Sequence, residues 1–152
     1  YTKEMNGFIL GRGSMQTETA YRVTEDAIDL FNHMNYKRYI DLFEKERSNW
    51  FTTIGLPFTK MRDEGVAVVI LKLETDYLKE ARLHDCLLVQ TMPNQMGTKS
   101  FSLKQVMINE KGEPITTSTC TFVMFDLVER ISIPVSEDIK KSFLETLRVN
   151  NG

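Results

Sequence analysis

Apolar and polar positions follow two different periods along this chain, and the change between them separates a helical part from a strand-forming part. Between about His33 and Thr53, apolar side chains recur at Tyr36, Tyr39, Ile40, Phe43, Trp50 and Phe51, with Ile54 just beyond. Spacings of three and four place them on one stripe, while Lys37, Arg38, Asp41, Lys45 and Glu46 fill the other face. The pattern predicts a core helix of about five turns. Asn32 or Asn35 can cap its start, and Gly55 followed by Pro57 stops it.

Elsewhere the pattern is that of strands. Met15 to Thr24, rich in Thr and free of Gly and Pro, reads as a strand. After the helix come Gly65 to Thr75, Asp85 to Met92, Lys99 to Asn109 and Ile115 to Asp126. Turn chemistry lies at Asn94 to Gly97 and at Asn109-Glu110-Lys111-Gly112. Short turns between successive strands imply antiparallel neighbours. Pro134 and Ser136-Glu137-Asp138 open a short helix to about Leu147, with Ser136 able to cap it. Residues 1–13, with glycines framing Phe8-Ile9-Leu10, read as an N-terminal arm, leaving 14–152 as a single domain. The fold class is α+β: one long helix packed on a curved antiparallel sheet, with a short C-terminal helix. Val66 to Leu71 is apolar on both faces. One long helix cannot cover both, so a second subunit is the expected cover.

Composition narrows the function classes. The chain has 152 residues, 41% of them hydrophobic, with 19 Lys+Arg against 21 Asp+Glu. That is enough chain for a core without disulfides or metals. A net charge of −2 provides no broad basic field for a nucleic-acid backbone. No apolar run approaches the roughly 18–20 residues of a membrane helix. The two cysteines, Cys86 and Cys120, lie in strand-like runs without CxxC spacing and read as free thiols. With no secretory signal in evidence, the expected location is cytoplasmic.

The chemistry concentrates in Asp29-Leu30-Phe31-Asn32-His33-Met34-Asn35-Tyr36-Lys37-Arg38-Tyr39. A helix N-terminus carries unpaired N–H groups and a positive partial charge, a ready place for a developing oxyanion. Asp29 lies close enough upstream to act beside those donors. It can activate water as a general base or attack an acyl carbon itself. Read without further context, Asp29 is first a turn carboxylate and Asn35 a backbone-bonding turn residue, while His33 is equally a hydrogen-bonded structural histidine. Glu44 and Arg47, three apart, read as a helical ion pair. No metal or cofactor is expected. His33 and His84 are the only histidines, with no cysteine nearby in sequence. Gly11-Arg12-Gly13 is too short for a phosphate loop, and no Gly-x-Ser-x-Gly elbow exists.

This segment resembles the 4-hydroxybenzoyl-CoA thioesterase family of hotdog-fold acyl-CoA thioesterases. The family's aspartate, His-and-Asn turn, aromatic helix and Glu-x-x-Arg pair read here as Asp29, Asn32-His33-Met34-Asn35, Tyr39 and Phe43-Glu44-Lys45-Glu46-Arg47. Tyr77 to Asp85 and Lys99-Ser100-Phe101 fall where further strands belong, so the resemblance spans about residues 15 to 135. It departs at Asn32, where Gly is common before the histidine, and at Tyr36, where a second Asn is common. The resemblance implies a hotdog fold paired edge to edge into a homodimer or homotetramer. It further implies an acyl-CoA thioester hydrolase with Asp29 as the catalytic aspartate and the Tyr36 backbone N–H polarising the carbonyl. Asn32, His33, Asn35 and Tyr39 would bind substrate or support the site. Two other readings stay open: a hotdog enzyme acting on acyl carrier protein, as thioesterase or dehydratase, and a non-catalytic acyl-binding domain.

Overall fold

The computed structural model describes residues 15–151, with side chains to residue 145. The arm expected over residues 1–13 lies outside the described residues. The elements run β1 (Thr17–Arg22), a 3-10 turn (Glu25–Ala27), α1 (Tyr36–Thr53), α2 (Phe58–Asp63), β2 (Val66–Tyr77), β3 (Cys86–Met96), β4 (Ser100–Ile108), β5 (Pro114–Asp126), β6 (Ile131–Ser132) and α3 (Glu137–Asn151). The strands form one antiparallel sheet in the order β1-β3-β4-β5-β2, with β6 paired to the end of β5. A long helix against such a sheet is the hotdog layout.

Local chemistry accounts for the boundaries. Asn35, not Asn32, caps α1: its Oδ1 accepts from the Lys37 amide at 3.0 Å. Gly55, at φ 85°, ends the helix where a side chain would be strained. β3 runs on to Met96 rather than turning at Asn94. Pro93 lacks a ladder donor, but a bulge there turns the Asn94 side chain and the Gln95 amide onto Ser102 Oγ, at 3.0 and 3.2 Å. The expected cap at Ser136 is not made: among the described residues its hydroxyl has no hydrogen-bond partner, and its carbonyl accepts from the Lys140 amide.

The helix packs on β1 and β3, and the core divides in two. One cluster holds Trp50, Phe51, Phe101, Phe122 and Phe143 with residues around them. The other holds Met34, Tyr39, Phe43, Leu87, Val89 and Met107. Between them the register aligns one polar row across the helix-facing side of all five long strands: Thr17, Thr91, Gln105, Ser118 and Thr75. Arg47 descends from α1 onto this row, 4% exposed, and donates to Gln105 Oε1 at 3.1 Å. Gln105 Nε2 in turn donates to the Phe43 carbonyl and to Thr91 Oγ1, both at 2.9 Å. The expected Glu44–Arg47 ion pair is not formed. Glu44 is exposed, and the weak gain of a helical i,i+3 pair loses to burial of the guanidinium on Gln105.

β2 is an edge strand, and Val69, Ile70, Leu71 and Leu73 stay exposed along it, Leu71 at 62%. No helix among the described residues is long and apolar enough to cross a membrane.

Gln105 holds a buried cation, so its loss strands several groups at once. Gln105→Leu is expected to lower the unfolding free energy by about 3 kcal/mol. Adding Arg47→Met removes the stranded charge and should recover part of that loss in the same urea titration. Unchanged stability in the single variant would show that the amide is not what keeps Arg47 buried.

Candidate active site

The segment before α1 folds back on itself. Asn35 N–H donates to Ala27 O at 2.9 Å, Asp29 N–H to His33 O at 3.1 Å, and Asn32 N–H to Asp29 O at 3.2 Å. Asn32 takes the corner at φ 65°, a conformation asparagine tolerates better than most residues. Within the loop, Asp29 Oδ1 accepts from the Phe31 amide at 2.8 Å, which holds the carboxylate in one orientation.

Two bonds to one residue pin this loop to the segment that follows β2. Met34 N–H donates to Ala81 O at 2.8 Å, and Ala81 N–H donates to the Tyr39 hydroxyl at 3.0 Å. The wall this brings up is the end of β2 and the residues after it. The Tyr77 hydroxyl donates to the Tyr36 carbonyl at 3.1 Å, and the rings of Tyr39 and Tyr77 meet edge to face at 5.4 Å. Loop and wall enclose a cleft of about 450 Å³ lined by Asp29, His33, Tyr36 and Tyr39 on one side and Tyr77, Leu78, Lys79 and Glu80 on the other. Phe31 and Met34 complete it.

Tyr36 is the first residue of α1, so its amide has no carbonyl within the helix to bond. Among the described residues it has no other acceptor either. An unpaired helix N-terminal donor therefore belongs to the residue that lines the cleft beside Asp29. Glu80 approaches His33 Nε2 at 3.9 Å and accepts from Arg82 at 2.6 Å. The Arg82 hydrogen bond holds the Glu80 carboxyl below its ordinary value, against desolvation and with the charges of Arg82 and His33 adding to it. Burial pushes the Tyr39 and Tyr77 hydroxyls up from the ordinary tyrosine value; for Tyr39 the Ala81 N–H partly offsets it.

Of the residues expected here, the structure brings together Asp29, His33, Tyr36 and Tyr39, with Asn35 behind them as the cap. Asn32 sits exposed at the loop corner and does not line the cleft, and Arg47 lies on the buried polar row. Tyr36 is 57% exposed, not part of the buried stripe its spacing suggested. Tyr77 to Glu80 formed no part of the expected site. No local pattern in the sequence singles them out. Among the described residues, no three His, Cys, Asp or Glu side chains gather as a metal site.

A model of the thioesterase-like superfamily matches residues 23–143. The chain belongs to this superfamily. The family expected from the Asp29–Tyr39 motif is thereby borne out at the superfamily level. This thioesterase-like chain is 24% identical over 132 residues to the long-chain acyl-CoA thioesterase FadM of Escherichia coli (strain K12), covering 86% of this chain and 99% of that protein. Among solved structures it is similar to a Staphylococcus aureus protein in complex with CoA, at TM-score 0.82 and 20% identity, over 88% of this chain and 84% of that one. It is also similar to the DHNA-CoA thioesterase of Staphylococcus aureus, at TM-score 0.77 and 19% identity, over 90% and 93% of the two chains. At that identity these structural likenesses establish the hotdog fold.

The raised Tyr39 and Tyr77 hydroxyls make stability pH-dependent. The unfolded chain loses these protons near pH 10, while the folded chain still holds them. Stability is therefore complete below about pH 10 and falls as pH rises further. Tyr39→Phe is expected to cost about 1 kcal/mol at neutral pH, through the lost acceptor for Ala81. It should also show a shallower alkaline fall than the parent in urea titrations between pH 8 and 11. An equal fall in both would remove Tyr39 from this account.

Proposed function

We propose that this chain is an acyl-CoA thioester hydrolase that releases CoA and a free carboxylic acid at the start of α1. The observation that carries the reading is the unpaired helix N-terminal amide of Tyr36, a residue that lines one cleft with Asp29. Membership of the thioesterase-like superfamily and the likeness to an acyl-CoA thioesterase support it.

In this mechanism the thioester carbonyl accepts a hydrogen bond from the Tyr36 N–H, and the helix dipole adds to the polarisation. Asp29 keeps one carboxylate oxygen on the Phe31 amide, which leaves Oδ2 for the reaction. Oδ2 takes a proton from water as the water attacks the carbonyl, or attacks directly to give an acyl anhydride that water then opens. The tetrahedral oxyanion rests on the Tyr36 amide. Its collapse expels CoA as the thiolate, which regains a proton from solvent. Tyr39 and Tyr77 brace the wall against which the acyl group lies, and His33 and Asn35 support the loop. Nearby Lys and Arg side chains hold the anionic CoA arm along the surface. The protein works as a homodimer or homotetramer joined through the open, apolar edge of β2.

Two measurements test this. Asp29→Asn is expected to lower kcat on a panel of acyl-CoAs by about 10²–10⁴-fold, with an unchanged circular dichroism spectrum. Full activity in that variant would contradict the mechanism. Leu71→Asp places a charge on the β2 edge and should give a monomer by light scattering. A variant that keeps the parent's mass would mean the subunits join elsewhere.

A further inference from the structure

The cleft at the start of α1 has two unlike ends. On the wall after β2, Glu80 faces His33, its carboxylate 3.9 Å from Nε2, and is itself held by Arg82. Tyr77, at most about 10 Å away along the chain, faces Tyr36 and Tyr39 instead. Asp29 belongs to the first end, since its amide donates to the His33 carbonyl. One end is thus charged and the other phenolic.

The phenolic end is closed. The Tyr77 hydroxyl donates to the Tyr36 carbonyl at 3.1 Å, which ties the end of β2 to the first residue of α1 across the cleft. The Tyr77 ring stands edge to face on Tyr39, which is buried and packs in the core with Met34. Thr116, opposite Tyr77 on β5, is fully buried and does not line the cleft. The Tyr36 phenol stands beside these two rings: burial first, and then the nearness of this phenol, raise the Tyr77 hydroxyl above its ordinary value. Unlike its neighbours, this phenol makes no hydrogen bond among the described residues, and the Lys37 ammonium lies over its ring at 5.9 Å. It also occupies a position where the resemblance commonly has asparagine.

We propose, building on the hydrolase reading above, that Tyr36, Tyr39 and Tyr77 form the blind end of the acyl site and that the Tyr36 ring sets its length. The substrates are then CoA thioesters of short and medium acyl chains. A polar arm and an apolar chain meet at the thioester carbonyl, and each takes the end that suits it. The CoA arm leaves past Lys79 and Glu80, while the acyl chain turns to the rings, where its surface is removed from water. At the volume share of a water, about 30 Å³ for each non-hydrogen atom, a cleft of about 450 Å³ holds about fifteen such atoms. The thioester and the near end of the CoA arm take about half, which leaves a chain of up to about eight carbons.

The test compares kcat/KM of the full chain on octanoyl-CoA and dodecanoyl-CoA, both below the concentrations at which they form micelles. In the parent the dodecanoyl thioester is expected to fall behind the octanoyl one by at least about tenfold. Tyr36→Asn and Tyr36→Ala keep the backbone amide and remove the ring, and each should raise the ratio of dodecanoyl to octanoyl by at least about tenfold. Damage to the fold alone would lower both rates together and leave that ratio where it was, and this result overturns the proposal. So does a parent that turns over dodecanoyl-CoA as fast as octanoyl-CoA. Either outcome leaves the hydrolase reading standing. Hydrolysis of neither thioester overturns the hydrolase reading instead. The blind end is then judged by calorimetry with the same two thioesters. Tighter binding of octanoyl-CoA by the parent, with the preference lost in Tyr36→Asn, would uphold it; equal binding of the two, or binding of neither, would end it.

Discussion

Everything at the site depends on how the chain fastens the start of α1 to a segment that belongs to no strand. Ala81 uses both of its backbone groups for this: its carbonyl takes the Met34 amide and its amide takes the Tyr39 hydroxyl. A buried backbone pair left unbonded would cost several kcal/mol, so the clamp forms as a unit. Once it is made, the Asp29 loop and the Tyr77–Glu80 wall face each other, and Tyr77 can reach the Tyr36 carbonyl. The cleft follows from the clamp.

A second constraint runs under the helix. Polar residues from five strands fall on one register row, and the apolar core is split into two clusters around it. An apolar row there would have given one continuous core. Instead the row anchors Arg47 through Gln105, which fixes the rotation of α1 and hence the direction of its first amide. Packing and site geometry are therefore coupled through one buried guanidinium.

Much of this was legible in the sequence, and the gaps have physical causes. The stripe from Tyr39 to Phe51 announces α1 because burial on one face imposes its period. The Asp29–Tyr39 motif is legible for the opposite reason: reactive polar groups crowd a helix start where a core pattern has no use for them. Tyr36 misleads because it keeps the spacing of the stripe yet occupies the first helical position, where the side chain meets the cleft. Glu44 and Arg47 mislead because local spacing cannot see Gln105, 58 residues away. Tyr77 to Glu80 become a wall only through long-range contacts with Tyr36, Tyr39 and Met34. β3 outlasts its apparent turn because Ser102, on the neighbouring strand, absorbs the bulge.

The central claim is that the Tyr36 amide and the Asp29 carboxylate act on the two sides of one thioester carbonyl. A crystal structure with an acyl-CoA analogue whose sulfur is replaced by methylene tests it most directly. The analogue's carbonyl oxygen is expected within about 3 Å of the Tyr36 nitrogen, with Asp29 Oδ2 or a water it holds facing the carbonyl carbon. A carbonyl bound away from the Tyr36 amide, with Asp29 left facing solvent, would contradict it.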